Sequence, residues 1–391
     1  MKTRIVSGAV FLFLLVALAL SRNAVDDWFI DVEWLLLFGL LFLWLRPIFF
    51  VGGRLPTSSA AMIMSFGIFM SGVSRHFSLF TGFYGKIFAI ALFALWVYFI
   101  GVYVKDLLDS GNRKFHLGDP VGSFGIGTWV AATSVTGTIL VHRVPEFAAV
   151  AEVMAGFNVF LWALFFGLCV KNFVIVFRNR WYEKMHGIIL LSTVATESVL
   201  IFCHALFRDL LPHVFAVTLL LIGTFFYMIG FLLIVLRYLR TFRQLRWIHE
   251  WTNTNCILHG SMSITGLAGI LSNAVSDRAA VAIWLWVFVW FIIVESCETV
   301  RAVIRVKQLG FARGIGSYNV TQWARNFTFG MFFAFTMHLR VPPAGWLSAL
   351  HHSVLTYFAW IVVLLFLNEV LLLVKRSRSE TKVNMPETFG Q

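Results

Sequence analysis

The sequence is short of charge. Only 13% of its 391 residues are Asp, Glu, Lys or Arg, against 59% hydrophobic residues, which leaves too little polar surface to cover a water-soluble globule of this length. Cysteine is scarce as well. The 4 present, Cys169, Cys203, Cys256 and Cys297, fall in different apolar runs, without the paired spacing of a disulfide framework or a zinc site. They read as packing residues. No Gly-x-x-x-x-Gly-Lys-[Ser/Thr] loop is present to cradle a nucleotide, so ATP-driven pumping finds no support in the chain. The acidic residues are scattered, and no convergent set of carboxylates, histidines and thiols marks a catalytic centre, a metal site or a cofactor site.

What is abundant is apolar length. A mean hydropathy of +0.83 and repeated runs long enough to cross a bilayer predict an all-α polytopic membrane protein. The net charge of +12 sits in short Lys/Arg clusters between these runs, the pattern that encodes membrane orientation, and it does not imply nucleic acid. Clusters such as Lys105, Arg113 and Lys114, or Arg237, Arg240, Arg243 and Arg246, fall on one side, while Arg143, Arg208 and Arg340 fall on the other. That bias predicts both termini in the cytoplasm and about twelve spans.

The first two spans stand apart. Met1 to Leu20 has a basic start and an apolar run, and it reads as a retained first helix, with a cleaved signal peptide as the alternative. Trp28 to Phe50 is a second span. Residues 1–54 are therefore expected to form an N-terminal extension, 55–376 the main domain, and 377–391 a cytoplasmic tail.

Within the main domain the chain reads as five helical hairpins. Their first helices start near Ser58, Asp119, Gly187, Cys256 and Asn319, a period of about 65 residues. The first helix of each hairpin is rich in small and hydroxyl residues, as in Ser192 to Thr196 or Gly260 to Gly266; the second is bulky, as in Phe157 to Phe177 or Val354 to Val374. Small residues let helices approach closely, whereas aromatic and branched residues suit lipid tails. The contrast predicts an inner ring of five helices around a central axis and an outer layer of five.

The motifs on these inner helices resemble those of the tellurite-resistance/C4-dicarboxylate transporter family, which is related to slow anion channels and sulfite efflux pumps. Met64 to Ile68 is similar to its Met-x-x-Gly-Ile, Phe124 to Gly137 to its Phe-Gly-x-x-Thr-x-Val-Ala-Gly-Thr-Asn-Val, and Val194 to Val199 to its Val-Ala-Thr-Gln-Ser-Val. Gly260 to Gly269 resembles Gly-Ala-Met-Ala-Ile-Ser-Thr-Leu-Ala-Gly, and Trp323 to Met331 matches Trp-x-x-x-Phe-Pro-x-Gly-Met. The resemblance implies ten helices around a central pore, one pore per protomer of a homotrimer, a small-anion substrate, and a plugging role for Phe327. The departures are the two extra N-terminal spans, Glu197 in place of glutamine, and Thr328 in place of proline.

An anion crossing a low-dielectric pore needs positive potential, which helix N-termini and hydroxyl dipoles can supply. Candidates to line the path are Ser65, Gly67, Ser123, Thr128, Thr133, Thr193, Glu197, Ser263, Thr265 and Gly330; each hydroxyl can equally serve a helix-to-helix or backbone hydrogen bond. Glu197 falls near mid-bilayer, where a carboxylate is expected to be protonated or paired. Gly330 follows Phe327 on one helical stripe and leaves that ring room to move. Arg325 lies about one turn from the inner end of its helix, so its side chain is expected to reach the cytoplasmic surface, with an anion contact or a structural charge as the alternatives. Glu295 and Glu298 are expected to pair locally with Arg301. His204, His259 and His338 lack the spacing of a metal or haem pair and read as satisfied polar residues.

These features point to a channel or secondary transporter for small anions in a multi-pass plasma or cytoplasmic membrane protein. The alternative is a membrane-embedded enzyme, or a structural partner that keeps the fold without conducting.

Overall fold

The computed structural model describes residues 55–73, 82–241 and 247–383; the two N-terminal spans and the end of the tail lie outside them. Ten helices carry the architecture: α1 Ala61–Ser71, α2 Phe83–Leu108, α3 Gly127–Arg143, α4 Ala148–Arg178, α5 Leu191–Phe207, α6 His213–Thr241, α7 Ile257–Leu271, α8 Asp277–Gly314, α9 Gln322–His338 and α10 Trp346–Val383. The last of these continues past residue 376, where the tail was expected to begin. Among the described residues, seven helices are long and apolar enough to span a bilayer. The chain is an integral, multi-pass membrane protein.

The odd-numbered helices close a ring. α1 packs on α3, α3 on α5, α5 on α7, α7 on α9, and α9 back on α1. Each even-numbered helix lies over a seam of this ring: α2 covers α1 and α3, α4 covers α3 and α5, α6 covers α5 and α7, α8 covers α7 and α9, and α10 covers α9 and α1. Burial follows the layers. The ring spans Gly122–Arg143 and Gly187–Phe207 are 83% buried, whereas the outermost spans, such as Asp277–Gly314, fall to 22%.

Small residues permit this closure. A Cβ on Gly67 of α1 would lie 2.0 Å from Val135 of α3, one on Gly137 of α3 would lie 2.1 Å from the Phe202 ring of α5, and one on Gly266 of α7 would lie 2.2 Å from the Phe335 ring of α9. A Cβ on Gly330 of α9 would meet Ile68 of α1 at 2.7 Å. Four of the five ring seams are thus knobs set into glycine holes. Gly137→Ala forces the buried Phe202 ring to move and is expected to lower stability by about 1–3 kcal/mol, read as a drop in the thermal midpoint of the purified protein. An unchanged midpoint would show that the seam yields without cost.

The shell is bolted to the ring by a repeated hydrogen bond. Indole Nε1 of Trp96 on α2 donates to Thr133 Oγ1 on α3 at 2.9 Å, Trp162 on α4 to Thr196 on α5 at 3.1 Å, and Trp284 on α8 to Thr336 on α9 at 2.9 Å. Each of these threonines donates in turn to the carbonyl four residues earlier, at 2.8 Å in all three cases. The hydroxyl satisfies a buried indole that lipid could not. On α3, α5 and α7 a single 3₁₀ turn leads into the helix, at Gly122–Ile126, Gly187–Leu190 and Asn253–Cys256, so the N-termini of these three helices point to the same end of the ring.

Candidate functional site

Two cavities lie on the ring axis, and all five ring helices contribute to both. The smaller, about 20 Å³, sits toward the helix N-termini and is lined by Met64, Thr128, Val194, Ile257, Ala324 and Phe327 among others. It has room for about one water. The larger, about 740 Å³, sits toward the C-termini and is lined by Ile68, Val135, Ile201, Ile264, Met331 and Ala334, with polar groups near its rim. Successive residues of one stripe pass from the first cavity to the second: Met64 then Ile68 on α1, Val194 then Ile201 on α5, and Phe327 then Met331 on α9. Phe327 lines the smaller cavity and is 2% exposed, and Met331, one turn on, lines the larger.

The structure sorts the residues expected along the path. Thr128 and Phe327 line the small cavity. The others line neither. Thr133 belongs to the Trp96 bond described above. Ser123 Oγ accepts from Asn172 on α4 at 2.8 Å, Thr193 Oγ1 donates to the Gly223 carbonyl on α6 at 3.0 Å, and Ser263 and Thr265 donate back to the carbonyls of His259 and Ser261. Ser65 is buried within α1. Gly67 and Gly330 are the glycine holes of the α1–α3 and α9–α1 seams, and Gly330 accommodates Ile68. Most of these hydroxyls are turned into contacts within or between helices.

Glu197 is fully buried between α5, α6 and α7. Its Oε1 lies 3.5 Å from Thr265 Oγ1 and so close to Gly223 of α6 that a Cβ there would sit 2.1 Å from it. The carboxyl therefore faces the shell. Glutamine keeps the size and the acceptor, so Glu197→Gln is expected to leave anion flux within about twofold of wild type across the neutral range, the scale of a substitution that breaks no named contact. A changed pH profile of flux in that variant would return the carboxyl to the ion path.

The Arg325 side chain stays inside the protein. Its side chain is held in a buried ionic cluster, with Nε 3.4 Å from Glu295 Oε2 and Nη2 3.2 Å from Glu298 Oε2. Glu298 also takes Arg301 Nη1 at 2.9 Å, as the local spacing predicted, and the same Arg301 nitrogen donates to Asn253. Glu295 instead turns toward α7, where His259 Nε2 lies 3.6 Å from its Oε1. Two carboxylates and two guanidiniums, from α8 and α9, thus balance within the protein. The structure places the Arg325 guanidinium as a structural charge between these two carboxylates.

The large cavity gathers residues that sequence reasoning set aside or passed over. His142 and Arg143 from the last turn of α3, His204 and Arg208 from the end of α5, and His338 from the end of α9 all line it. The legible signal was that three ring helices end in basic side chains. One such ending is unremarkable, because cations complement a helix C-terminus; their convergence depends on ring closure.

A comparison with family models matches residues 54–368 to SLAC1, the voltage-dependent anion channel family. A search of curated proteins finds no match. With the match covering most of the chain and all of the ring and shell up to the last turns of α10, this protein belongs to the voltage-dependent anion channel family, whose members move anions across membranes.

Proposed function

We propose that the protein is a channel or secondary transporter for small anions, such as a dicarboxylate, sulfite, nitrate or chloride, with Phe327 as the plug of a pore along the ring axis. All ten helices cross the bilayer in this reading, both termini are cytoplasmic by the Lys/Arg bias, and the protein is a homotrimer of the plasma or cytoplasmic membrane with one pore per protomer. The observation that carries it is the axial arrangement: two cavities built by the same five helices, separated at the level of one buried phenylalanine. A narrow apolar segment excludes ions both by its width and by expelling water. Movement of one ring joins the cavities. The N-termini of α3, α5 and α7, converging at the inner end, favour anions there by their dipoles.

The test is flux through liposomes holding the purified full chain, across a panel of chloride, nitrate, sulfite and malate. Movement of several anions down their gradients supports a channel. Movement of one anion only with a proton or counter-ion supports a carrier. Absence of flux for every anion, in the wild type and in a variant lacking the Phe327 ring, would reject anion transport and leave a membrane enzyme or a non-conducting partner.

A further inference from the structure

The axial pore reading leaves Lys171 without a task. This lysine is a full charge within a span, exposed on the outward face of the shell helix α4. We infer that Lys171 and Arg178 hold the phosphate of an anionic phospholipid, such as phosphatidylglycerol, at the inner end of the shell, flanked by the basic short helix Ser110–Leu117. This surface is separate from the ring axis, so the site holds whether or not the axis conducts.

The apolar stretch of the span Pro145–Arg178 is only 28% buried, and its outward face has one break in character. Phe157, Leu164, Lys171 and Arg178 stand seven residues apart and are all exposed, so they form one line along α4, since two turns of helix return a side chain to within about 20°. The line reads apolar, apolar, basic, basic. Val170, Val174 and Phe177 are exposed as well, so apolar surface surrounds the lysine and continues about 9 Å beyond it toward the inner end. Lipid tails suit those neighbours and not an ammonium. Side chains on a helix lean toward its N-terminus, which for α4 is the outer end, so the lysine stem must double back to reach headgroup level. A phosphate drawn to the ammonium meets the charge where it stands.

Arg178 supplies the second cation, about 10 Å further along the axis, a rise that two long basic stems can close on one headgroup. Its guanidinium fork suits phosphate oxygens. This part of α4 is fixed on the 3₁₀ turn Gly122–Ile126: Asn172, beside Lys171, donates to Ser123 Oγ at 2.8 Å, and the Phe173 ring packs on Phe124 with centroids 4.9 Å apart. The short helix Ser110–Leu117 packs on the same turn. Its exposed Arg113 and Lys114 therefore belong to the same end of the shell. Phe115 and Leu117 of that helix are exposed too, and Leu108 before it is 82% exposed. Basic and apolar side chains exposed together on one short helix mark an element that lies in the headgroup layer.

Carboxylates do not compete for these cations. Buried Asp106 accepts from Asn112 Nδ2 at 3.1 Å and faces His116 Nε2 at 3.4 Å, Asp109 accepts from the N–H groups of Gly111 and Asn112, and Asp119 from those of Val121 and Gly122. Among the described residues no ion pair engages Lys171, Arg178, Arg113 or Lys114. The Lys/Arg bias assigns this end to the cytoplasm, and the cytoplasmic leaflet is the one that carries anionic lipid.

The experiment titrates the purified full-length protein with phosphatidylglycerol and with phosphatidylcholine of the same acyl chains, and counts bound lipid by native mass spectrometry. Each basic side chain at the headgroup contributes about fivefold to binding, so wild type is expected to prefer phosphatidylglycerol by about tenfold or more after salt screening. K171L should cut the preference about fivefold and keep the thermal midpoint, because leucine suits the lipid-facing surface. K171R should keep the preference, K171L/R178Q should abolish most of it, and R278Q, exposed at the start of α8, should leave it as in wild type. Inorganic phosphate in excess should not displace the lipid, since it brings no acyl chains to the apolar line. Equal wild-type affinity for the two lipids, a preference that survives in K171L/R178Q, K171R binding like K171L, or displacement by inorganic phosphate would overturn the proposal. So would a K171L protein with an altered oligomeric state and an unchanged lipid preference, which would assign this face of α4 to a second copy of the chain.

Discussion

Phe327→Ala raises anion flux by about thirtyfold, if the closed ring is favoured by roughly 2 kcal/mol, the scale of burying one aromatic side chain. The ring is 2% exposed and stands among Met64, Val194 and Ala324 at the narrow level of the axis; removing it joins the two cavities through a gap lined by a methyl group. Expression and oligomeric state should be unchanged, because the ring lines the small cavity. Its neighbour is a different case. Phe332 of α9 packs against Trp284, Phe291 and Phe358, with ring centroids 6.0, 5.4 and 5.3 Å away, so Phe332→Ala is expected to cost about 3–5 kcal/mol of stability while leaving flux per folded molecule unaltered. Leu364→Ala, on the 66% exposed face of α10, is the silent control. Unchanged or reduced flux in folded Phe327→Ala protein would reject the plug.

Arg325→Met destabilises the protein by about 3–5 kcal/mol, the usual consequence of deleting one side of a buried ionic contact. Glu295 loses the guanidinium 3.4 Å from it and keeps only the His259 edge, and Glu298 falls back on Arg301. Desolvation of a carboxylate left without its partner sets the size of the loss, not the strength of the pair itself. Adding Glu295→Gln to Arg325→Met removes the stranded charge and should recover a large part of the thermal midpoint. An Arg325→Met protein that kept its wild-type midpoint but lost anion flux would make the arginine an ion contact and dissolve the cluster as a structural device.

The layering of the molecule was legible because its cause is local. Close approach of two helices requires small side chains at the contact, and Gly67, Gly137, Gly266 and Gly330 stand in the motifs for that reason, each receiving a side chain of the next ring helix. Bulky helices facing lipid carry no such requirement, so the contrast between Ser192 to Thr196 and Phe157 to Phe177 could be read without coordinates. Phe327 was legible through its motif. Its place in the lining of the small cavity is a property of the closed ring.

The facing of the polar side chains was not legible. A ring helix is buried on every side, so hydropathy gives no solvent face from which to orient it, and Thr133, Thr193 and Thr265 could as well have pointed to the axis as to the partners they bond. Arg325 looked like a snorkelling residue because its carboxylate partners lie about 30 residues earlier, on α8, and only the seam between α8 and α9 brings them within 3.4 Å. The same holds for His142, His204 and His338, which are separate helix endings in the chain and one vestibule in space. By itself the sequence determined that this is a multi-pass helical membrane protein, which helices pack closely, and to which family it belongs, since hydropathy, residue size and motif order are carried by neighbouring residues. Tertiary structure alone decided which side chains meet the axis, because the rotation of a fully buried helix is set by all of its neighbours together, through the closing of the ring.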